Sequence, residues 1–382
     1  MLTLEQLAGD LHPHLATLRA RSPVAWVPSL DAYLVTGWAA AVEVLRDPGT
    51  FTVDDPRFST ARVVGPSMLS TDGAEHPRHR DPFAEPFRPG LVTERFGATV
   101  DEIVQRCLDD MATNGTSAEL RSALAGPLAA STMIHALGLD GDDGVDRAPL
   151  LGWYRAIVES VSVTAARRPT TAEGASAMSG IDAALRGHLA AGGTGSLLSE
   201  SMSGGALDPA EVVSNAAVIM FGGIETTEGM LLNVVWHLLR EPDRFAAVRD
   251  EPGLIPAAVE ESLRLEPAAA VVDRYATRDA EVAGTEIAAG AQVTVSLAGA
   301  NRDPAEFPMP DIFDLNRPRR RRHLTFATGP HVCIGMDLAR LEVLHAVTAL
   351  AEHFPRLRLD EGAPGPTGLV FRKPERLPVV WD

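Results

Sequence analysis

The segment LDPAEVVSNAAVIMFGGIETTEGMLLNVVWHLLR, ending at Arg240, constrains this chain more than any other. Asp208 is placed to cap a helix, Pro209 suits its first position, and Glu211 completes a capping box. No stop signal follows until Glu241-Pro242. About 33 residues at 1.5 Å each give a helix of roughly 50 Å. It is apolar on nearly every face, so it is expected to run through the middle of a large folded body.

The rest of the chain supports a mainly α reading. Apolar residues recur three and four apart through Ala39–Leu45, Phe96–Met111, Pro149–Val163 and Ile334–Leu350. Short β-like segments occur at Trp26–Val35, Ala280–Val282, Gln292–Ser296 and Leu369–Phe371, too few for a doubly wound sheet. The Gly-, Ser- and Thr-rich stretches Arg167–Gly180 and Ala190–Gly205 read as surface connections. With no repeat and no change of composition along the chain, residues 1–382 read as a single domain with minor β structure.

A net charge of −17 excludes broad affinity for nucleic acid or anionic membrane, since phosphate contacts need basic surface. No basic start leads into an apolar block, and no uninterrupted apolar run reaches the ~18 residues of a membrane span. The expectation is a cytoplasmic protein without a membrane anchor. Its two cysteines should then be reduced. Cys107 falls on the apolar stripe Ile103, Val104, Leu108, Met111 and reads as a core residue.

Cys333 does not fit such a stripe. It lies in FATGPHVCIG, between Gly329 and Gly335, immediately before a strongly helical run. A helix N-terminus favours thiolate over thiol, and glycines let the backbone approach a bulky or flat group. A nucleophile, an axial metal ligand and an inert turn cysteine all fit this setting. In MFGGIETTEGM, Gly222 and Gly223 interrupt the apolar helix, and Glu225 and Thr226 set a carboxylate and a hydroxyl inside it. Glycines there admit a ligand against the backbone, a threonine hydroxyl can bend the helix, and a carboxylate beside an alcohol can deliver protons. A helix crossing with small residues at the contact is the bland alternative. Glu261 and Arg264 are spaced to pair on one helical face. His76 and Arg80 share a face if EHPRHR is helical, and Arg274 and His331 are further donors.

Together these stretches resemble the cytochrome P-450 family of haem-thiolate enzymes. FATGPHVCIG matches the family's cysteine loop, GGIETT its acid–alcohol helix motif, and ESLR its Glu-x-x-Arg motif. ANRDPAEFPMPDIFDLNRP and SMLSTDGAEHPRHR look like the family's segments before the cysteine loop and into its His-x-x-x-Arg helix. The resemblance implies the cytochrome P-450 fold, with haem b between the long central helix and the helix after the cysteine loop. Cys333 would be the axial thiolate ligand. His76, Arg80, Arg274 and His331 would hold the propionates, while Phe326, Gly329, Gly335, Gly222 and Gly223 would shape the cofactor's bed. Glu225 and Thr226 would supply protons to dioxygen, and Glu261 with Arg264 would stabilise the structure behind the haem. Ala327 and Met336 depart from the usual residues beside the loop.

The implied activity is O2-dependent hydroxylation or epoxidation of a small or medium, largely apolar molecule, in secondary metabolism or catabolism. By the same resemblance the substrate would meet the loop before His76, Trp153–Val163, Thr170–Met178, Val213–Ile224, Ala268–Val272 and Leu369–Phe371. Electrons would come from a separate ferredoxin and ferredoxin reductase, since no such segment is present. RPRRRRH, Arg317 to His323, reads equally as a dock for an acidic partner or as a solvated basic run. Another oxidative outcome (coupling, ring formation, desaturation) is an alternative. A cysteine hydrolase using Cys333 with His331 or His323 is a second, and it leaves the other motifs unexplained.

Overall fold

The computed structural model describes residues 2–139, 147–165, 168–190, 196–318 and 322–381. The helices that matter for the site are, in chain order, α1 (Trp38–Arg46), α2 (Glu75–Ala84), α3 (Leu91–Thr113), α4 (Arg147–Ala165), α5 (Ala172–Ala190), α6 (Pro209–Arg240), α7 (Ile255–Leu265) and α8 (Met336–His353). The chain divides into two compact units, each assembled from segments far apart in sequence. The first holds Met1–Thr52, Val100–Leu128 and Thr226–Asp382, and the second Val53–Thr99 and Ala129–Glu225.

In the first unit a five-stranded sheet takes the order β1-β2-β5-β4-β3, with β1 Val24–Val27, β2 Ala32–Val35, β3 Phe51–Thr52, β4 Val271–Ala276 and β5 Gln292–Ser296. β2 and β5 run parallel with Tyr33 opposite Val293, whereas β4 and β5 are antiparallel and set Arg274 opposite Val293. One apolar core joins Val35, Val293 and Val295 of the sheet to Ala41, Val44 and Leu45 of α1, and Leu324 and Ala327 pack on it. The approach to the cysteine loop is thereby built onto the same core as the sheet.

Helix α6 forms as its sequence requires. Asp208 Oδ1 accepts from the N–H groups of Ala210 and Glu211, and Glu211 Oε2 accepts from the Asp208 N–H at 3.0 Å. The helix continues unbroken for 32 residues, through the glycines and threonines expected to loosen or bend it. By length and composition alone it could cross a membrane, yet 83% of its most apolar window is buried within the protein.

The stretch Arg167–Gly180 is not the connection its composition implied, because α5 begins at Ala172. Thr171 caps it, accepting from the Gly174 N–H at 3.0 Å. Its glycines admit a neighbouring helix: a Cβ at Gly174 would stand 2.4 Å from Ser160 Cβ, and one at Gly180 would stand 2.5 Å from the Trp153 ring. α4 and α5 therefore pack as a close antiparallel pair in the second unit. A short helix, Leu197–Ser203, likewise replaces part of the second stretch expected to be a loop, opened by a Ser196–Ser199 capping box. Arg167 and residues 191–195 lie outside the described residues.

Candidate active site

The first unit carries the cysteine loop. Its ends are joined where the Cys333 N–H donates to the Phe326 carbonyl at 2.9 Å, and the Val332 N–H donates to the Gly329 carbonyl at 3.1 Å. The turn needs two left-handed residues, Ala327 at φ 57° and Gly329 at φ 79°. At Gly329 a side chain is excluded twice over, by that conformation and because a Cβ would lie 2.4 Å from the Leu45 carbonyl oxygen at the end of α1. Arg46 donates to Thr328 Oγ1, and the Trp38 indole N–H donates to the Arg322 carbonyl, so α1 steadies the loop from below. Cys333 is exposed two residues before Gly335, the N-cap of α8, whereas Cys107 is buried in α3.

The acid–alcohol pair occupies α6, where the chain leaves the second unit after Glu225 and re-enters the first at Thr226. Glu225 is buried, only 6% exposed, and Thr226 is half-buried. In the second unit the Tyr154 hydroxyl on α4 donates to Glu225 Oε2. Sequence reasoning missed this partner, although Tyr154 falls inside the periodic segment Pro149–Val163; a hydroxyl on an apolar stripe was the available signal. The two helix glycines differ in role. A Cβ at Gly223 would collide with Met133 Sδ at 2.2 Å, so that glycine serves packing, while a Cβ at Gly222 would meet no atom within 4 Å. Gly335 is similarly open.

Behind the cysteine loop, Glu261 and Arg264 pair as their spacing required, at 2.8 Å and with both side chains fully buried. Arg317, 56 residues along the chain, adds a second guanidinium on Glu261 Oε1 at 2.8 Å, and the Asp314 N–H a further donor. Arg264 also donates to the carbonyls of Asn301, Pro310 and Ile312. Burial would raise the Glu261 carboxyl, but the two arginines outweigh it and hold it below its ordinary value. Next to it, burial of Glu260 is likewise outweighed by hydrogen bonds from His323 and Arg340, which bring its carboxyl down to about 2.

These contacts correct the reading of the run Arg317–His323. Arg317 and His323 are buried structural residues rather than members of a solvated face. Arg322 pairs with Glu306 at 2.9 Å and lies over the Trp38 ring. Arg319–Arg321 lie outside the described residues. His323 is also removed as a base for Cys333: its Nε2 engages Glu260 at 3.0 Å, its Nδ1 accepts from the Thr325 N–H, and burial lowers its pKa.

Of the four expected propionate donors, His76 (buried) and Arg80 (half-buried) stand one turn apart on α2 in the second unit. The helix that makes them neighbours is therefore present. Arg274, buried on β4 and bonded through Nη1 to the Asp273 carbonyl at 2.7 Å, lies in the first unit with His331. Asn215 is a residue that sequence inspection passed over. It accepts from the Met68 N–H at 2.7 Å and contacts His79 Nδ1 at 2.8 Å, fixing α2 against the start of α6.

A family model described as Cytochrome P450 matches residues 163–368. Nocardicin C N-oxygenase of Nocardia uniformis subsp. tsuyamanensis is 35% identical, across 99% of this chain and 97% of its own length. Pentalenic acid synthase of Streptomyces avermitilis is 34% identical, across 95% and 92%. The crystal structure of P450BioI in complex with hexadec-9Z-enoic acid ligated acyl carrier protein superposes with a TM-score of 0.89 at 28% identity, covering 99% of this chain and 100% of that one. The chain belongs to the cytochrome P450 family. It has the P450 fold and is a haem-thiolate monooxygenase, an oxidoreductase whose cofactor is haem held by a cysteine thiolate. Each unit carries residues whose chemistry fits that group: the first an exposed thiol at a helix start, the open Gly335 backbone, Arg274 and His331, and the second the open Gly222 backbone, His76 and Arg80.

Proposed function

We propose that Cys333 is the axial thiolate of haem b in a single catalytic domain spanning residues 1–382. The substrate would be a small or medium, largely apolar molecule of bacterial secondary metabolism, hydroxylated or epoxidised in the cytoplasm. The observation that carries the assignment is the contrast between the two cysteines, Cys107 inside α3 and Cys333 exposed at the start of α8. The loop's backbone geometry supports it, since Gly329 and Ala327 hold the turn that presents the sulfur.

When bound, the haem supplies dioxygen activation and O–O cleavage. The chain's own part is to place and protonate. Cys333 donates electron density through sulfur, tempered by the N–H groups of the helix end. Glu225 and Thr226 form the proton-delivering pair, with the Glu225 carboxylate buried. His76, Arg80, Arg274 and His331 hold the propionates through charge-assisted hydrogen bonds. Gly222 leaves backbone open on α6 for close approach, and Phe326 and Gly335 complete the bed around the sulfur. Glu261 and Arg264 keep the loop's support fixed. Electrons are delivered by a separate ferredoxin and its reductase. Relatives named as a nocardicin C N-oxygenase and a pentalenic acid synthase support an oxygenase of secondary metabolism.

The test is the spectrum of the ferrous protein with carbon monoxide. The wild type and Cys107→Ala are expected to give the red-shifted Soret band of a thiolate ligand, and Cys333→Ala is expected to lose it. Retention of that band in Cys333→Ala would overturn the assignment.

A further inference from the structure

Tyr154 occupies a position that packing alone would fill differently. Leu150, Tyr154, Ile157 and Val161 form one buried stripe on α4, with exposures of 1%, 5%, 2% and 3%. Phenylalanine would satisfy the shape of that stripe without bringing a polar group into it. A buried phenol needs a partner, and this one has the carboxylate of Glu225, itself buried. The backbone beneath Tyr154 is firmly placed. Its neighbour Trp153 presses on Gly180 of α5, and two turns on, Ser160 presses on Gly174 and accepts from the Thr171 N–H at 3.1 Å. The hydroxyl thus projects from a helix pair with little freedom to shift, towards a side chain that has several rotamers.

We propose that Tyr154 is a positioning residue for proton delivery. Its hydroxyl holds the Glu225 carboxylate in the rotamer that serves Thr226. This deepens the reading of Glu225 and Thr226 given above and rests on it. A phenol suits the task because its hydroxyl donates a hydrogen bond without adding a second charge. An arginine or lysine in its place would bind the carboxylate more strongly and hinder it from taking up a proton. No proton is consumed at Tyr154 itself, which keeps its O–H bond throughout.

The consequence is read in the fate of dioxygen. Two electrons and two protons reduce it to hydrogen peroxide, and four of each reduce it to two waters, so poorly timed protons raise the peroxide share. The measurement is peroxide released per dioxygen consumed by the haem-loaded protein, driven by a surrogate ferredoxin and ferredoxin reductase. It needs no knowledge of the substrate. Tyr154→Phe, Glu225→Gln and the double variant are compared with the wild type, and each is first checked for the thiolate-type carbon monoxide band and for its urea midpoint.

Tyr154→Phe is expected to raise the peroxide share about fivefold, the factor that one hydrogen bond of ordinary strength sets in an equilibrium. Glu225→Gln should raise it further. Adding Tyr154→Phe to Glu225→Gln should change nothing more, because the tyrosine acts only through the carboxylate. An equal rise from Tyr154→Phe in both backgrounds would show that the tyrosine acts independently of Glu225, and overturns the inference. If Glu225→Gln raises peroxide while Tyr154→Phe does not, the inference fails and the acid–alcohol reading stands. If neither variant has an effect, both fail. Should the phenylalanine variant lose its fold, Tyr154→His, which keeps a ring donor, should restore the fold and a peroxide share below that of Glu225→Gln; a share equal to it overturns the inference.

Discussion

Two buried carboxylates, Glu225 and Glu261, lie in helices of this protein and accept from different kinds of donor. Glu261 receives three hydrogen bonds from the guanidiniums of Arg264 and Arg317 and one from a backbone N–H. Its charge is matched by charge, in a network whose guanidiniums also bind backbone carbonyls. Glu225 accepts from the Tyr154 hydroxyl, and its sequence neighbour Thr226 carries another hydroxyl. A carboxylate gripped by cations stays ionised and fixed, which suits a strut. A hydroxyl orients a carboxylate without adding charge, which suits a group proposed to deliver protons.

The largest test breaks the strut. Arg264→Met leaves Glu261 and Arg317 with an incomplete network at full burial, and the expected loss is about 3–5 kcal/mol of stability. Urea titration should show it, or little soluble haem-loaded protein should accumulate. A loss near 1 kcal/mol or less would mean that the network is not the strut described.

A smaller effect is expected from pH on the same rear wall. His237 on α6 contacts Ser262 Oγ through Nδ1 at 2.8 Å, and burial lowers its pKa from 6.5 to about 3. The unfolded chain takes up this proton as pH falls below 6.5, while the folded form resists until about 3. Stability present above 6.5 therefore declines through that window. His237→Asn keeps a group near Nδ1 but does not titrate, so its urea midpoint should fall less steeply between pH 6.5 and 4.5. Parallel slopes for the two proteins would refute the assignment.

The smallest change in stability is expected at the proposed proton-delivery pair. Thr226→Ala should move the urea midpoint by no more than about 1 kcal/mol, because the site is only half-buried and alanine favours the helix. The same variant should release peroxide in place of product. A variant as well coupled as the wild type would remove Thr226 from proton delivery and blunt the contrast with Glu261.

Much of this was legible in the chain. The capped start of α6, the strands at Ala280–Val282 and Gln292–Ser296, the burial of Cys107 and the Glu261–Arg264 pair all follow from spacings within a few residues. Composition misled at Arg167–Gly180. Glycines that mark a loop in isolation proved to be the contact points of two close helices. The arginine run misled for the converse reason: Arg317 looks solvated until Glu261 reaches it from 56 residues away.

The sequence by itself determined the central helix, the cysteine at a glycine-framed helix start, and the family, because periodicity, capping and turn chemistry act between neighbours. Only the tertiary structure decided which polar groups meet each other. Whether a buried carboxylate meets two guanidiniums or a tyrosine hydroxyl depends on helices brought together from distant parts of the chain, and no local pattern encodes that meeting.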